Sequence, residues 1–155
     1  MRKRIGSQIL AGQKAEAGGW LNLEQEAEVE VTSEDPKHPI ESAFLPKEPS
    51  GWRAGFPGRQ CLRLIFDSPQ MLRLIHLVFT EEHQARTQEF VLRWSAGERE
   101  PFREILRQQY NFAPGSSEIE DYIVSLEGVK VLELEINPSI SGGDIRATLA
   151  ELRLR

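Results

Sequence analysis

Cys61-Leu-Arg-Leu-Ile-Phe-Asp-Ser-Pro-Gln-Met-Leu-Arg-Leu-Ile-His-Leu-Val-Phe79 is the stretch whose reading decides the fold. Leu62, Leu64 and Phe66 alternate with Cys61, Arg63 and Ile65, the period-two pattern of a strand with one buried face. Asp67-Ser68-Pro69 reads as a turn. From Met71 to Phe79 the chain is almost continuously apolar, with Arg73 and His76 as exceptions, which predicts a central strand covered on both faces.

The same alternation recurs on either side. Val29 and Val31 alternate with Glu28, Glu30 and Thr32, and Ser33-Glu-Asp-Pro36 ends that strand. A long loop rich in Pro and Gly follows, from about 36 to 58, carrying Trp52 and Phe56. Phe90, Leu92 and Trp94 alternate with Glu89, Val91 and Arg93; Tyr122, Val124 and Leu126 with Ile123; Leu132, Leu134 and Ile136 with Glu133, Glu135 and Asn137. Glu127-Gly128 reads as a turn between the last two. Residues 102–112 and 145–154 fit a helix or a strand by period alone. Short strands with regularly spaced turns predict an all-β, antiparallel sandwich. Residues 1–26 show no such pattern and read as an irregular N-terminal arm docked through Trp20, leaving 27–155 as the domain.

The chain has 155 residues, enough for one domain that needs neither disulfide nor metal to fold. One cysteine, Cys61, rules out an internal disulfide and suits a reducing compartment. Gly6, Gln8 and Gly12 break the run after Met1-Arg-Lys-Arg4, so no signal peptide is expected there. No segment has the apolar length of a membrane span. These features predict a cytoplasmic protein with no membrane partner. A net charge of −5 argues against a general nucleic-acid binder, whose footprint is basic.

Catalytic signatures are missing from the sequence: no phosphate-cradling glycine loop, no His-Glu-x-x-His, no Gly-x-Ser-x-Gly. His38, His76 and His83 stand in unrelated contexts. Cys61 alternates with buried positions and reads as packing rather than a nucleophile. Glu133 and Glu135 share one strand face, which suits an acid/base pair or a solvated face. No enzyme, cofactor or metal is expected. Three polar groups are candidates for binding. Arg86 and Gln88 lie at the entry to a strand, after the polar loop 81–84. Arg107 and Gln108 belong to a run unusually dense in hydrogen-bonding side chains. These four form either an internal network that pins loops to the sheet or a concave polar site, since planar guanidinium and amide groups can hold hydroxyls, carboxylates or phosphates. Trp52, beside Arg53, is either a plug for the open end of the sandwich or a platform for a sugar ring.

Four stretches carry a family resemblance: Gly51-Trp-Arg-Ala54, Leu62 to Ile75, Phe90-Val-Leu-Arg-Trp-Ser95 and Ala147-Thr-Leu-Ala-Glu-Leu-Arg153. From Val31 onward the chain resembles the galactose-binding-like domain, the discoidin or coagulation-factor C-type jelly roll. The resemblance implies about eight antiparallel strands and makes both ambiguous segments strands. It also implies a ligand held in loops at one end, often a glycan, in other members a phospholipid, a protein or a DNA end. Many members carry an aspartate-rich calcium turn; here that region reads Ala43-Phe-Leu-Pro-Lys47, so no calcium is expected. The resulting expectation is a non-catalytic, carbohydrate-binding-module-like domain using Trp52, Arg53, Arg86, Gln88, Arg107 and Gln108. The alternative is a cytoplasmic adaptor that binds protein, with the arm as its contact. The sequence leaves the oligomeric state open.

Overall fold

The structure is a computed structural model that describes residues 2–5, 8–11, 19–45 and 51–155; of the first eighteen side chains, only that of Lys3 is included. It is an antiparallel jelly-roll sandwich. Its strands are β1 (Arg2–Ile5), β2 (Gln8–Ala11), β3 (Ala27–Val31), β4 (Trp52–Arg53), β5 (Gln60–Glu81), β6 (Arg86–Ser95), β7 (Arg103–Phe112), β8 (Ser116–Asn137), β9 (Thr148–Leu149) and β10 (Glu151–Leu154). Two single-turn helices, α1 (Leu23–Glu26) and α2 (Glu41–Phe44), flank β3. Both segments of ambiguous period are strands, as the resemblance implied.

Two long strands thread both layers. Residues 62–66 of β5 lie between β3 and the second half of β8, which continues to β6 and then β7. Residues 75–78 of β5 lie between β10 and the first half of β8. Between these halves the β5–β8 register breaks, from Ile65↔Val131 through Gln70↔Val129 and Leu72↔Leu126 to Leu74↔Ile123.

This corrects two sequence expectations. Asp67-Ser-Pro and Glu127-Gly128 do not reverse the chain; they lie across from one another at the bend of two continuous strands. Pro69 has no N–H to give a ladder, so it suits a stretch where the ladder is interrupted. Gly128 has φ +70°, a conformation that costs a side-chain-bearing residue but not glycine. The second half of β5 is also not covered on both faces, because Leu74, His76 and Val78 on its outer side are only half-buried.

The core fills the space between the layers. Val29, Leu62, Leu64, Phe66, Leu92, Leu134 and Ile136 from one layer meet Ile75, Leu77, Phe79, Leu149 and Leu152 from the other. Phe90 bridges the two, with ring centroids 5.2 Å from Phe79 and 6.4 Å from Tyr122. Burying each such side chain stabilises the fold by about 1.5–3 kcal/mol.

The N-terminal stretch contains two strands where an irregular arm was expected. β1 runs parallel to β3, and β2 folds back on β1. Lys3 is buried and forms ion pairs with Glu34 (3.1 Å) and Glu41. Trp20 packs 5.8 Å from the His76 ring, with the Arg155 guanidinium 4.8 Å from its own ring.

Gly51 sets the spacing of the β4–β9 ribbon. Its φ is +63°, and a Cβ there would lie 2.5 Å from the Leu149 carbonyl oxygen and 2.6 Å from the Ala150 Cα. Gly51→Ala should therefore lower stability by about 1–3 kcal/mol. Thermal melts check this; an unchanged midpoint would show that the ribbon shifts freely.

Candidate functional site

Two polar residues of β6, Arg86 and Gln88, point inward. Arg86 and Gln88 share strand parity with Phe90 and Leu92, so the pleat aims all four at the core. The Arg86 side chain is 1% exposed. Its Nε donates to Glu81 Oε1 at 2.6 Å, and Nη1 donates to Gln88 Oε1 and to the Pro138 carbonyl, both at 2.9 Å. The guanidinium carbon lies 4.6 Å from the Phe112 ring centroid. Burial alone would raise the Glu81 pKa. The backbone N–H of His83, the Arg86 guanidinium and the N–H of Gln84 outweigh it and hold the carboxyl below its ordinary range. Arg86 and Gln88 thus form an internal network that ties the 81–84 loop and the 138 loop to β6, and neither offers a free group to solvent.

The other predicted residues disperse. Trp52 is 2% exposed, with its indole N–H donating to the Ser33 carbonyl at 3.1 Å. It fills the end of the sandwich and cannot stack on a ligand. Arg107 lies on the outer face of β7, paired with Glu89 and Glu104. Gln108 faces the opposite way and accepts from the Tyr122 hydroxyl at 2.9 Å. Only Arg53, exposed because β4 sends it away from Trp52, reaches an open cleft.

Glu133 and Glu135 are held in an ion-pair ladder across the outer face. Glu133 bonds Arg63 at 2.7 Å and Arg93 at 2.9 Å; Glu135 bonds Arg93 at 2.9 Å and Arg59 at 3.4 Å. Both carboxylates are committed as hydrogen-bond acceptors to these guanidiniums. Cys61, beside them, has its thiol pushed up to about 12 by burial, with the Glu133 charge adding. Among the described residues no cluster of His, Cys, Asp or Glu has the geometry to hold a metal ion.

The cleft has a volume of about 290 Å³ and sits where four segments meet. The turn 35–38 contributes His38, β4 contributes Arg53, the end of β5 and its loop contribute residues 80–84, and the approach to β9 contributes Asp144 and Arg146. Each segment is pinned locally. Asp35 accepts from the Lys37 and His38 backbone N–H groups, closing the turn that carries His38. Arg53 pairs with Thr148 across the β4–β9 ribbon, and Gly58 bridges to Arg146. The Asp35 carboxyl is held below its ordinary range by the Lys37 N–H, with His38, Arg53 and Arg146 adding positive potential. Among the described residues neither Arg53 nor Arg146 has an ion-pair partner. Sequence reading missed His38, Asp144 and Arg146, because they come from two loops more than a hundred residues apart and only the folded chain gathers them.

A second polar group lines the open edge between β7 and β8. Glu120 is raised to about 7 by its hydrogen bond with Glu118, with burial adding. Two carboxyl groups in hydrogen-bonding reach share a proton more readily than they both ionise.

No protein-family model matches the sequence, and no curated protein matches it significantly. Solved structures do resemble it. A family 32 carbohydrate-binding module of Clostridium perfringens NanJ, solved with galactose, superposes with a TM-score of 0.60 at 14% identity, covering 84% of this chain and 93% of that one. Another such module, from a family 31 glycoside hydrolase of Clostridium perfringens, gives 0.61 at 14% identity over 87% of this chain and 93% of that one. A chain of Clostridium perfringens ZmpB with two such modules gives 0.63 at 14% identity, covering 87% of this chain and 35% of that one.

Two stability predictions follow from the polar groups. Arg86→Met should cost about 3–5 kcal/mol, because it strands Glu81 and Gln88, whereas Arg107→Ala on the exposed face should leave stability nearly unchanged. Denaturant titration of both variants measures the contrast. A carboxyl whose folded pKa is raised stabilises the fold below its unfolded value, and that contribution is lost as pH rises through about 7. Glu120→Gln should therefore melt higher than wild type at pH 8.5, with the gap closing near pH 5.5. A gap independent of pH would rule out the shared proton. Together with these structural likenesses, the bent-strand sandwich identifies the fold as the galactose-binding-like jelly roll.

Proposed function

We propose that this chain is a non-catalytic carbohydrate-binding domain whose ligand is a short saccharide held in the cleft between His38, Arg53, Asp144 and Arg146. The observation that carries this reading is the pair of guanidiniums, Arg53 and Arg146, that line a polar cleft without ion-pair partners among the described residues. A guanidinium presents a fixed fork of donors that suits vicinal hydroxyl groups, and Asp144 and the threonine hydroxyls supply acceptors. The cleft volume falls at the lower edge of the ~300–1,000 Å³ range of small-molecule sites, which favours one or two sugar rings over a long polymer. Among the described residues no Phe, Tyr or Trp lines the cleft, so hydrogen bonding rather than stacking carries recognition. Glu81, at the rim of the cleft, does not suit hydrolysis, since Arg86 and two backbone N–H groups fix it as an acceptor. Structural neighbours solved with galactose and GalNAc support a saccharide as the ligand class. A cytoplasmic setting is part of the same proposal, resting on the single cysteine.

A glycan-array screen followed by calorimetry on the best hit tests the proposal. Arg53→Ala and Arg146→Ala should each weaken binding by about tenfold to a hundredfold, the effect of losing a charge-assisted hydrogen bond. Arg107→Ala should leave affinity unchanged, and so should a calcium chelator. An array without a specific hit, or a hit indifferent to both cleft arginines, would overturn the assignment.

A further inference from the structure

The first half of β8 is an edge. β5 covers one side of residues 116–123, and β6 pairs only with 131–137, so among the described residues no strand occupies the other side of 116–127. An open edge presents a row of backbone donors and acceptors that can template another strand. This edge also carries exposed apolar side chains: Ile119 is 63% and Ile123 is 91% exposed.

The outward-facing residues of this edge read Ser117, Ile119, Asp121, Ile123, Ser125. The series is the same in both directions, with Asp121 at its centre. A two-fold interface must be self-complementary, because each residue meets a partner residue that meets it in return. A strand that pairs antiparallel with its own copy about Asp121 fulfils this at every outward position. Ile119 then faces the partner's Ile123, and Ser117 faces the partner's Ser125. The neighbouring strand extends the match, since Ile119 sits beside Val78 and Ile123 beside Leu74 on β5. Each cross-dimer row then reads Val78 and Ile119, followed by the partner's Ile123 and Leu74. On the inward side Glu120 faces the partner's Tyr122 and Glu118 the partner's Val124, so no two glutamates oppose each other. Asp121 facing its own copy is the one like-charge contact, and each of these carboxylates already bonds its own His76 Nδ1 at 2.6 Å.

We propose that residues 116–127 pair antiparallel with the same segment of a second copy, across a two-fold axis at Asp121, joining the two outer layers into one continuous sheet. The proposal is independent of the saccharide cleft, which lies on other segments.

Light scattering across a wide concentration range gives the first readout. The mass should rise toward twice 17.6 kDa, and the double variant Ile119→Lys, Ile123→Lys should stay at the single-chain mass with an unchanged circular-dichroism spectrum. Crosslinking fixes the register. Directly opposed residues of antiparallel strands have Cα atoms about 4.5–5.5 Å apart, within disulfide reach. In a Cys61→Ser background, Asp121→Cys should oxidise to a covalent dimer, and Ser117→Cys, which faces the partner's Ser125, should not. A single-chain mass at every concentration would overturn the proposal. So would a dimer that survives the double lysine variant, or equal crosslinking from both cysteine positions.

Discussion

The shared register break in β5 and β8 is the constraint on which the rest of this sandwich depends. Two strands of twenty-two residues each would run far past any partner if they stayed straight. Losing register together near Pro69 and Gly128, they turn from one layer into the other while keeping most of their ladder. Both layers are thereby built on the same two strands, and the buried faces of their halves oppose each other across a common core. The bend also fixes the functional end. It brings the close of β5 beside the start of β6, where Arg86 ties the 81–84 loop to the chain leaving β8 at Pro138. The cleft is assembled around that junction.

Much of the strand pattern was legible in the sequence, because alternation is a local consequence of the pleat. The bend was not. A turn and a bulge call on the same residues, proline without a donor and glycine with positive φ, and the difference lies in whether the opposing strand continues. At Asp67-Ser-Pro and Glu127-Gly128 it does, and no local signal in either segment says so. The polar residues of β6 divide in the same way. Their parity with Phe90 and Leu92 already aimed Arg86 and Gln88 inward, but the groups that Arg86 meets there, Glu81, the Pro138 carbonyl and the Phe112 ring, come from elsewhere in the chain. Trp52 and Arg53 are adjacent on one strand, and a period of two sends them to opposite faces. They could not have served one site together. His38, Asp144 and Arg146 carry no local mark at all, since their grouping exists only once four segments meet.

The charged outer face shows how the same residue types serve different ends. Glu133 has the burial that often accompanies catalysis, yet Arg63 and Arg93 bracket it and Glu135 continues the row. A ladder of this kind satisfies these carboxylates and fixes strand pairing; their oxygens are occupied by the guanidiniums. The guanidiniums without ion-pair partners among the described residues lie instead at the end of the sandwich, Arg53 on the short strand β4 and Arg146 on the approach to β9.

Lys3 has a consequence for how much of the chain counts as one folding unit. Its amine is the cation set between Glu34 and Glu41, and Glu34 in turn accepts from the Ile40 backbone N–H just beyond the turn that carries His38. A chain trimmed to its alternating portion, from residue 27 onward, would keep the two main layers but leave these carboxylates facing each other without their counter-charge. Their repulsion would act on both flanks of the 35–38 turn, so the shape of one wall of the cleft is set in part by the third residue of the chain.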